Sequence, residues 1–292
     1  MTVARIALVT GANQGIGFAL VEGLAARMGP DDLVLLTGRN AARVADAAAR
    51  VAMAPGTTSR VEGRVLDVGD AAAVAQLAAD LGQRHGGVDI VLSNASARIT
   101  PDRPQPEQAD EFIEVANGGT SAMLRSFGPV LRPGGRLVVV ASSLGTLGNL
   151  DARMHPLFED ASLDEVDEVV ESWRAAVHAG TAQDLGWPAW INVPSKVAQV
   201  AAVRAVARQR RARDLREGTL VAAVCPGLVA TEASRPWFAD FSQAQTPAQA
   251  AKAILDLVLA DRVDPATYGE LVRFGGVLPW HSGTPREPAL PQ

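Results

Sequence analysis

Apolar positions along the chain follow two alternating patterns. Short unbroken runs read as strands: Arg5–Thr10 (RIALVT), Leu33–Thr37 (LVLLT), Val61–Leu66, Val88–Leu92 (VDIVL), Gly135–Val140 (GRLVVV), Leu220–Val224 (LVAAV) and Leu271–Phe274 (LVRF). Between them lie longer, Ala-rich segments with helical spacing: Phe18–Met28, Arg43–Ala52, Ala71–Arg84, Asp110–Phe127, Pro194–Arg213 and Pro247–Leu259. Runs that are apolar throughout belong to strands buried on both faces. Alternation with helices of this length therefore predicts one α/β domain, a doubly wound parallel sheet with helices on both faces. No repeat or long linker interrupts the pattern, so the domain is expected over residues 1–282, with 283–292 as a loose tail. Pro101–Pro106 reads as a loop.

The stretch from Ser143 to Asn192 breaks this rhythm. It holds one acidic helical piece, Ser162–Ala179, in which Val166, Val169, Val170 and Trp173 recur at helical spacing. Ser162 is a candidate N-cap, and Glu165 three residues on completes the pattern of a capping box. A helical insertion is expected at about 144–190, between the fifth and sixth strands.

Composition narrows the function. A chain of 292 residues that is 48% hydrophobic can bury a large core. Its net charge of −5 argues against nucleic acid, which needs a basic face. No apolar run reaches the ~20 residues of a membrane helix, and no basic region with a signal core opens the sequence. A lone cysteine, Cys225, leaves no internal disulfide and fits a cytoplasmic protein; ending an apolar strand, it reads as a buried small hydrophobe. His85, His155, His178 and His281 lack metal-ligand spacing, so no metal is expected. A small molecule is the expected partner.

The chemistry is concentrated at the ends of the strands. The first strand runs into Thr10-Gly11-Ala12-Asn13-Gln14-Gly15-Ile16-Gly17 and then a helix. Such a turn lets backbone N–H groups approach a pyrophosphate at a helix N-terminus. The second strand ends Leu36-Thr37-Gly38-Arg39. An acidic residue there accepts the ribose 2′-hydroxyl of NAD; Arg39 instead suits the 2′-phosphate of NADP(H), with Asn13 placed to add a hydrogen bond.

These residues resemble the short-chain dehydrogenase/reductase family, over nearly the whole chain. Thr10–Gly17 is similar to its TGxxxGIG motif, which implies a Rossmann fold and cofactor contacts from Gly11, Asn13, Gln14, Gly15, Ile16 and Gly17. Asp67-Val68 resembles the pair that holds the adenine, and Asn94-Ala95-Ser96 the NNAG element. Ser143 and Lys196 match the catalytic Ser and Lys, Lys196 also reaching the nicotinamide ribose. Cys225-Pro226-Gly227, with Val229 and Thr231, resembles the segment that closes over the nicotinamide. The 49 positions from Ser143 to Asn192, with a helical insertion followed by Gly186-Trp187-Pro188, resemble the monomeric, carbonyl-reductase-like branch and imply a monomer.

Two positions depart from the family pattern. Asn192 stands four residues before Lys196, where the family carries the Tyr that protonates the substrate carbonyl. Asn117, the candidate for the family's helix-borne Asn, lies in Asn117-Gly118-Gly119, one residue off the usual NxxG spacing. The chain's only tyrosine is Tyr268. Trp187, Trp190, Trp237 and Phe238 fall in segments that border the substrate cleft in that branch, which implies an apolar, polycyclic substrate. Three readings stay open: an NADPH-dependent reductase of a ketone or enone, a repurposed scaffold for cyclisation, dehydration or isomerisation, and an NADP(H)-sensing pseudoenzyme.

Overall fold

The computed structural model describes residues 4–283. Eight strands form one sheet: β1 (Ile6–Val9), β2 (Leu33–Gly38), β3 (Arg60–Val65), β4 (Val88–Ser93), β5 (Leu131–Val140), β6 (Leu220–Val224), β7 (Leu271–Arg273) and β8 (Gly276–Leu278). Their order is β3-β2-β1-β4-β5-β6-β7-β8. β1 to β7 are parallel and β8 is antiparallel to β7. The order reverses at β1, which pairs with both β2 and β4. In an open α/β sheet that reversal opens a crevice beyond the carboxyl ends of the strands. β1, β2 and β6 are buried along their whole length, as unbroken apolar runs require.

Two helical layers cover the sheet. α1 (Gly15–Arg27) packs against α2 (Ala41–Met53) and α8 (Pro247–Val258). On the other face, α5 (Gly119–Val130) packs against α3 (Ala71–His85) and α7 (Asn192–Glu217). The expected helix Asp110–Phe127 is divided into α4 (Gln105–Ile113), a π-helical turn (Glu114–Gly118) and α5. Gly118 and Gly119 are poor helix formers. Gly119 also meets a tight neighbour, since a Cβ there would lie 2.7 Å from Val68 Cγ2. Pro106, read as loop, lies in the first turn of α4, where its missing N–H costs no helical bond.

The insertion contains α6 (Leu163–His178), opened by the expected capping box: Ser162 N donates to Glu165 Oε2 at 2.7 Å, and Glu165 N to Ser162 Oγ at 3.2 Å. Asp167 draws α6 onto α5, accepting from Ser121 Oγ and Arg125 Nη1, each at 2.6 Å. Arg174 Nε donates to Asp110 Oδ1 of α4 at 2.6 Å. The sequence pattern did not reveal β8. It is only three residues long and follows a two-residue turn in which Phe274 (φ 49°) and Gly275 (φ 80°) both have positive φ. That is the conformation of a tight type I′ hairpin, usually marked by Asn-Gly rather than Phe-Gly. Of the expected tail, 284–292 lies outside the described residues.

Candidate functional site

The carboxyl ends of β1, β2, β4, β5 and β6 lie along one edge of the sheet, where the reversal of strand order opens such a crevice. The glycine turn links β1 to α1, with Gly11 (φ 61°) and Gly15 (φ 59°) in the left-handed region that glycine adopts cheaply. A Cβ on Gly11 would lie 2.7 Å from Ala95 Cα, and one on Gly17 2.6 Å from Gly11 O. The turn is locked to the end of β4: Asn94 N and Ala95 N donate to Thr10 Oγ1 at 2.9 and 3.0 Å. Asn94 Nδ2 donates to Thr10 O at 3.0 Å. Gln14 gives α1 no side-chain cap, which leaves the first-turn amides and the positive end of the dipole to an anion. Ile16, beside it, anchors the turn by packing on the core.

The end of β2 forms a basic corner. Asn13 Oδ1 lies 2.9 Å from where a Cβ on Gly38 would be, so Asn13 and Arg39 flank the same residue. The Arg39 side chain is 63% exposed and Nη1 pairs with Glu111 Oε1 of α4 at 2.7 Å. That carboxylate holds the Arg39 pKa above its ordinary value, with Asp67 adding to the effect. Asp67 is exposed and accepts from Gly69 N at 3.0 Å, while Val68 is buried against Gly119.

Lys196 lies one helical turn into α7, and Asn192 is the half-buried first residue of that helix. A separation of four residues puts the two side chains on one helix face. Lys196 Nζ donates to Gln199 Oε1 at 2.7 Å. Burial pushes the amine down to about 8, and the neighbouring Cys225 thiol acts in the opposite direction. The π-turn directs Asn117 at α7: its Nδ2 donates to Ser195 O at 3.0 Å, and its buried Oδ1 has no partner. Ser143 opens a short turn after β5. That turn abuts α7 at Lys196, since a Cβ on Gly145 would lie 2.8 Å from Lys196 O.

The segment after β6 crosses over the glycine turn. Gln245 Nε2 donates to Pro226 O at 2.9 Å, and Gly227 (φ 78°) makes the bend. Ser234 Oγ donates to Val229 O at 2.6 Å and accepts from Thr231 N at 3.1 Å. Thr231 Cγ2 lies 3.7 Å from where a Cβ on Gly15 would be.

A mostly parallel sheet, a glycine turn at its reversal point, and a helix bearing Lys196 that meets both the Asn117 turn and the turn opened by Ser143 invite comparison with known proteins. The short chain dehydrogenase family matches residues 5–153, half of the chain. The chain belongs to that family. Over 95% of this chain and 99% of the relative, it is 31% identical to carbonyl reductase (NADPH) 3 of Mus musculus. It is 29% identical to carbonyl reductase (NADPH) 1 of Sus scrofa, over 97% of this chain and 96% of the relative. The fold is shared with salutaridine reductase from Papaver somniferum (TM-score 0.74, 22% identity, 89% of this chain and 98% of that one). It is shared too with menthone neomenthol reductase from Mentha piperita (TM-score 0.74, 23% identity, 94% and 100%).

Tyr268 is buried and its hydroxyl donates to Asp214 Oδ2 at 2.8 Å. Asp214 lies eighteen residues beyond Lys196 on α7, roughly 27 Å along a helix axis. The chain's only tyrosine therefore lies far from the crevice. The four aromatic residues expected at the substrate cleft fall into three groups. Trp187 packs inside the insertion, 6.0 Å from Trp173 and 6.3 Å from Phe158 between ring centroids. Trp190 meets Trp237 at 5.4 Å, and Trp237 Nε1 donates to Ile99 O at 3.1 Å, joining the segments that follow β4 and β6. Phe238 turns its ring to Phe241 at 6.2 Å. The sequence reading missed Glu111, Thr120 and Gln199. For Gln199 a signal existed, a lone amide within the apolar run Val197–Val203.

Proposed function

We propose that the protein is an NADPH-dependent reductase of a conjugated enone or ketone on an apolar small molecule, working without the usual tyrosine. The observation that carries this is the uncapped α1 N-terminus beside the Asn13–Arg39 corner, which together offer sites for two separate phosphate groups. The relatives named for NADPH support the same cofactor.

The crevice fits that dinucleotide. The amides of the glycine turn would take the pyrophosphate, Asn13 and Arg39 the 2′-phosphate, Asp67-Val68 and Asn94-Ala95 the adenosine side, and Lys196 the nicotinamide ribose. Pro226, Gly227, Val229 and Thr231 would cover the nicotinamide. When bound, the cofactor supplies a hydride. The chain's own part is to hold the substrate oxygen and exclude water. Ser143 and Asn192 would hydrogen-bond that oxygen, and Trp190 and Trp237 would wall an apolar substrate. Asn192 takes the tyrosine's place in this reading, and its amide donates a hydrogen bond but no proton near neutral pH. For an enone the last proton goes to carbon and comes from water, so the missing acid costs least there. For a ketone, loss of a general acid costs ~10²–10⁴-fold in rate.

Asn192 also favours a second reading, in which the same crevice orients a substrate for a non-redox step and the nucleotide is structural. Oxidation of NADPH by a panel of cyclic enones and ketones separates the two. Substrate-dependent loss of NADPH supports the reductase; conversion of an added substrate with no loss supports the alternative. Because α6 covers α4 and α5, the proposed protein acts as a monomer.

A further inference from the structure

Only two of the 27 basic residues are lysines, Lys196 and Lys252. Arg cannot give up its proton in a protein, whereas a buried Lys can. Lys196 therefore stands apart as a basic group able to titrate inside the crevice, and a neighbouring amide controls it.

Gln199 is buried, one turn along α7 from Lys196, and its hydrogen bonds determine which way its amide points. Its Nε2 donates to Ala116 O at 2.9 Å and to Thr120 Oγ1 at 2.8 Å. Thr120 Oγ1 uses its own proton on Ala116 O at 2.6 Å, so towards Gln199 it can only accept. A flipped amide would set its oxygen against Ala116 O and its N–H groups against the amine. Oε1 must therefore face Lys196, where it accepts from Nζ at 2.7 Å. One N–H of the ammonium is committed there, leaving two for the crevice.

We propose that Gln199 is a positioning residue, oriented by Thr120 and the π-turn carbonyl of Ala116, that aims Lys196 into the crevice and stabilises its protonated form. The proposal rests on the reading of Lys196 as a functional group. An oriented acceptor favours the ammonium over the neutral amine, and burial favours the reverse. Among the described residues, the Cys225 thiol at the end of β6 is the ionisable group whose field acts on Lys196. The π-turn and α5 present the neutral Asn117 and Thr120, and the turn after β5 presents the neutral Ser143. Gln199 is thus the oriented hydrogen-bond acceptor of the charge, at 2.7 Å from Nζ, and its removal should lower the pH at which Lys196 loses its proton.

The test follows lysine Nζ and Cε signals by NMR in ¹³C,¹⁵N-lysine-labelled, cofactor-free protein. Two lysines give two titrations, and the exposed Lys252, paired with Asp256, serves as internal control. Gln199→Leu is expected to move the Lys196 midpoint down by about one pH unit, the loss of one hydrogen bond to a charged group. Thr120→Val, a gentler change that removes one of the groups orienting the amide, should move it the same way by less. Gln199→Glu should move it up. Lys252 should not respond to any of them. An unmoved Lys196 midpoint in folded Thr120→Val and Gln199→Glu proteins would overturn the proposal, even if Gln199→Leu does not fold. Titration of the wild-type protein with NADPH checks the functional reading separately, because the lysine titration needs no cofactor.

Discussion

At the scale of single residues, two cations carry the account, and each is opposed by something the sequence did not reveal. Arg39 reads as a phosphate-binding group from its place at the end of β2, but in the structure it is already paired with Glu111. An exposed pair of this kind is worth roughly 0.2–1 kcal/mol. Glu111→Gln is therefore expected to tighten NADPH binding by up to about five-fold and leave NADH unchanged. Isothermal titration with both nucleotides checks it. Lys196 has the opposite history, a charge buried at a cost. Its pKa falls from 10.5 unfolded to about 8 folded. Between those values the unfolded chain binds more protons, so stability should rise with pH from about 8 to 10.5 and carry the full cost below 8. Relative to Lys196→Met, which cancels the other titrations, denaturant unfolding should show a gain of the order of 3 kcal/mol across that window. A flat difference would mean Lys196 is not buried in its charged form. Asn192→Tyr tests the third residue: ketone reduction should rise while enone reduction does not. An unchanged ketone rate would show that position 192 is not where a proton donor acts.

At the scale of elements, strands and most helices were legible because they rest on local periodicity. β6 is observed over the expected residues, and the Ser162–Glu165 capping box forms as its spacing implies. The π-turn was not legible. A helical period continues through Glu114–Gly118 in the sequence, and the widening depends on what α5 must avoid, the Val68 side chain, and on what Asn117 must reach, the Ser195 carbonyl. Those are tertiary contacts, and single-residue insertions of this kind recur at functional sites. The one-residue departure at Asn117-Gly118-Gly119 was its sequence trace. Gly119→Ala should place a methyl in contact with Val68 and lower stability by about 1–3 kcal/mol. Thermal unfolding reads this, with NADPH affinity falling alongside if Val68 holds the adenosine side as proposed. An unchanged melting temperature would show that the loop carrying Val68 is free to move away from α5.

At the scale of the molecule, the sheet order places the glycine turn, Arg39, Asn94, Ser143 and Thr231 at one edge although the chain separates them widely. The alternation of strands and helices was enough to foresee that edge. It was not enough to sort the aromatics, because whether Trp187 faces substrate or the insertion's own core depends on how α6 folds back. The structure places it against Trp173 and Phe158. The same folding back lays α6 over α4 and α5, and light scattering should give a mass near the 30.5 kDa of one chain. A dimer mass would mean that another face associates.

The central claim is that this crevice binds a 2′-phosphorylated nicotinamide nucleotide through Arg39 and the glycine turn. The direct measurement is a fluorescence titration of the wild-type and Arg39→Ala proteins with NADPH and, separately, NADH. The account predicts micromolar NADPH binding, clear discrimination against NADH, and a loss of about 10- to 100-fold for NADPH alone in Arg39→Ala. Equal affinity for both nucleotides would contradict the role given to Arg39. Binding of neither would contradict the nucleotide site itself.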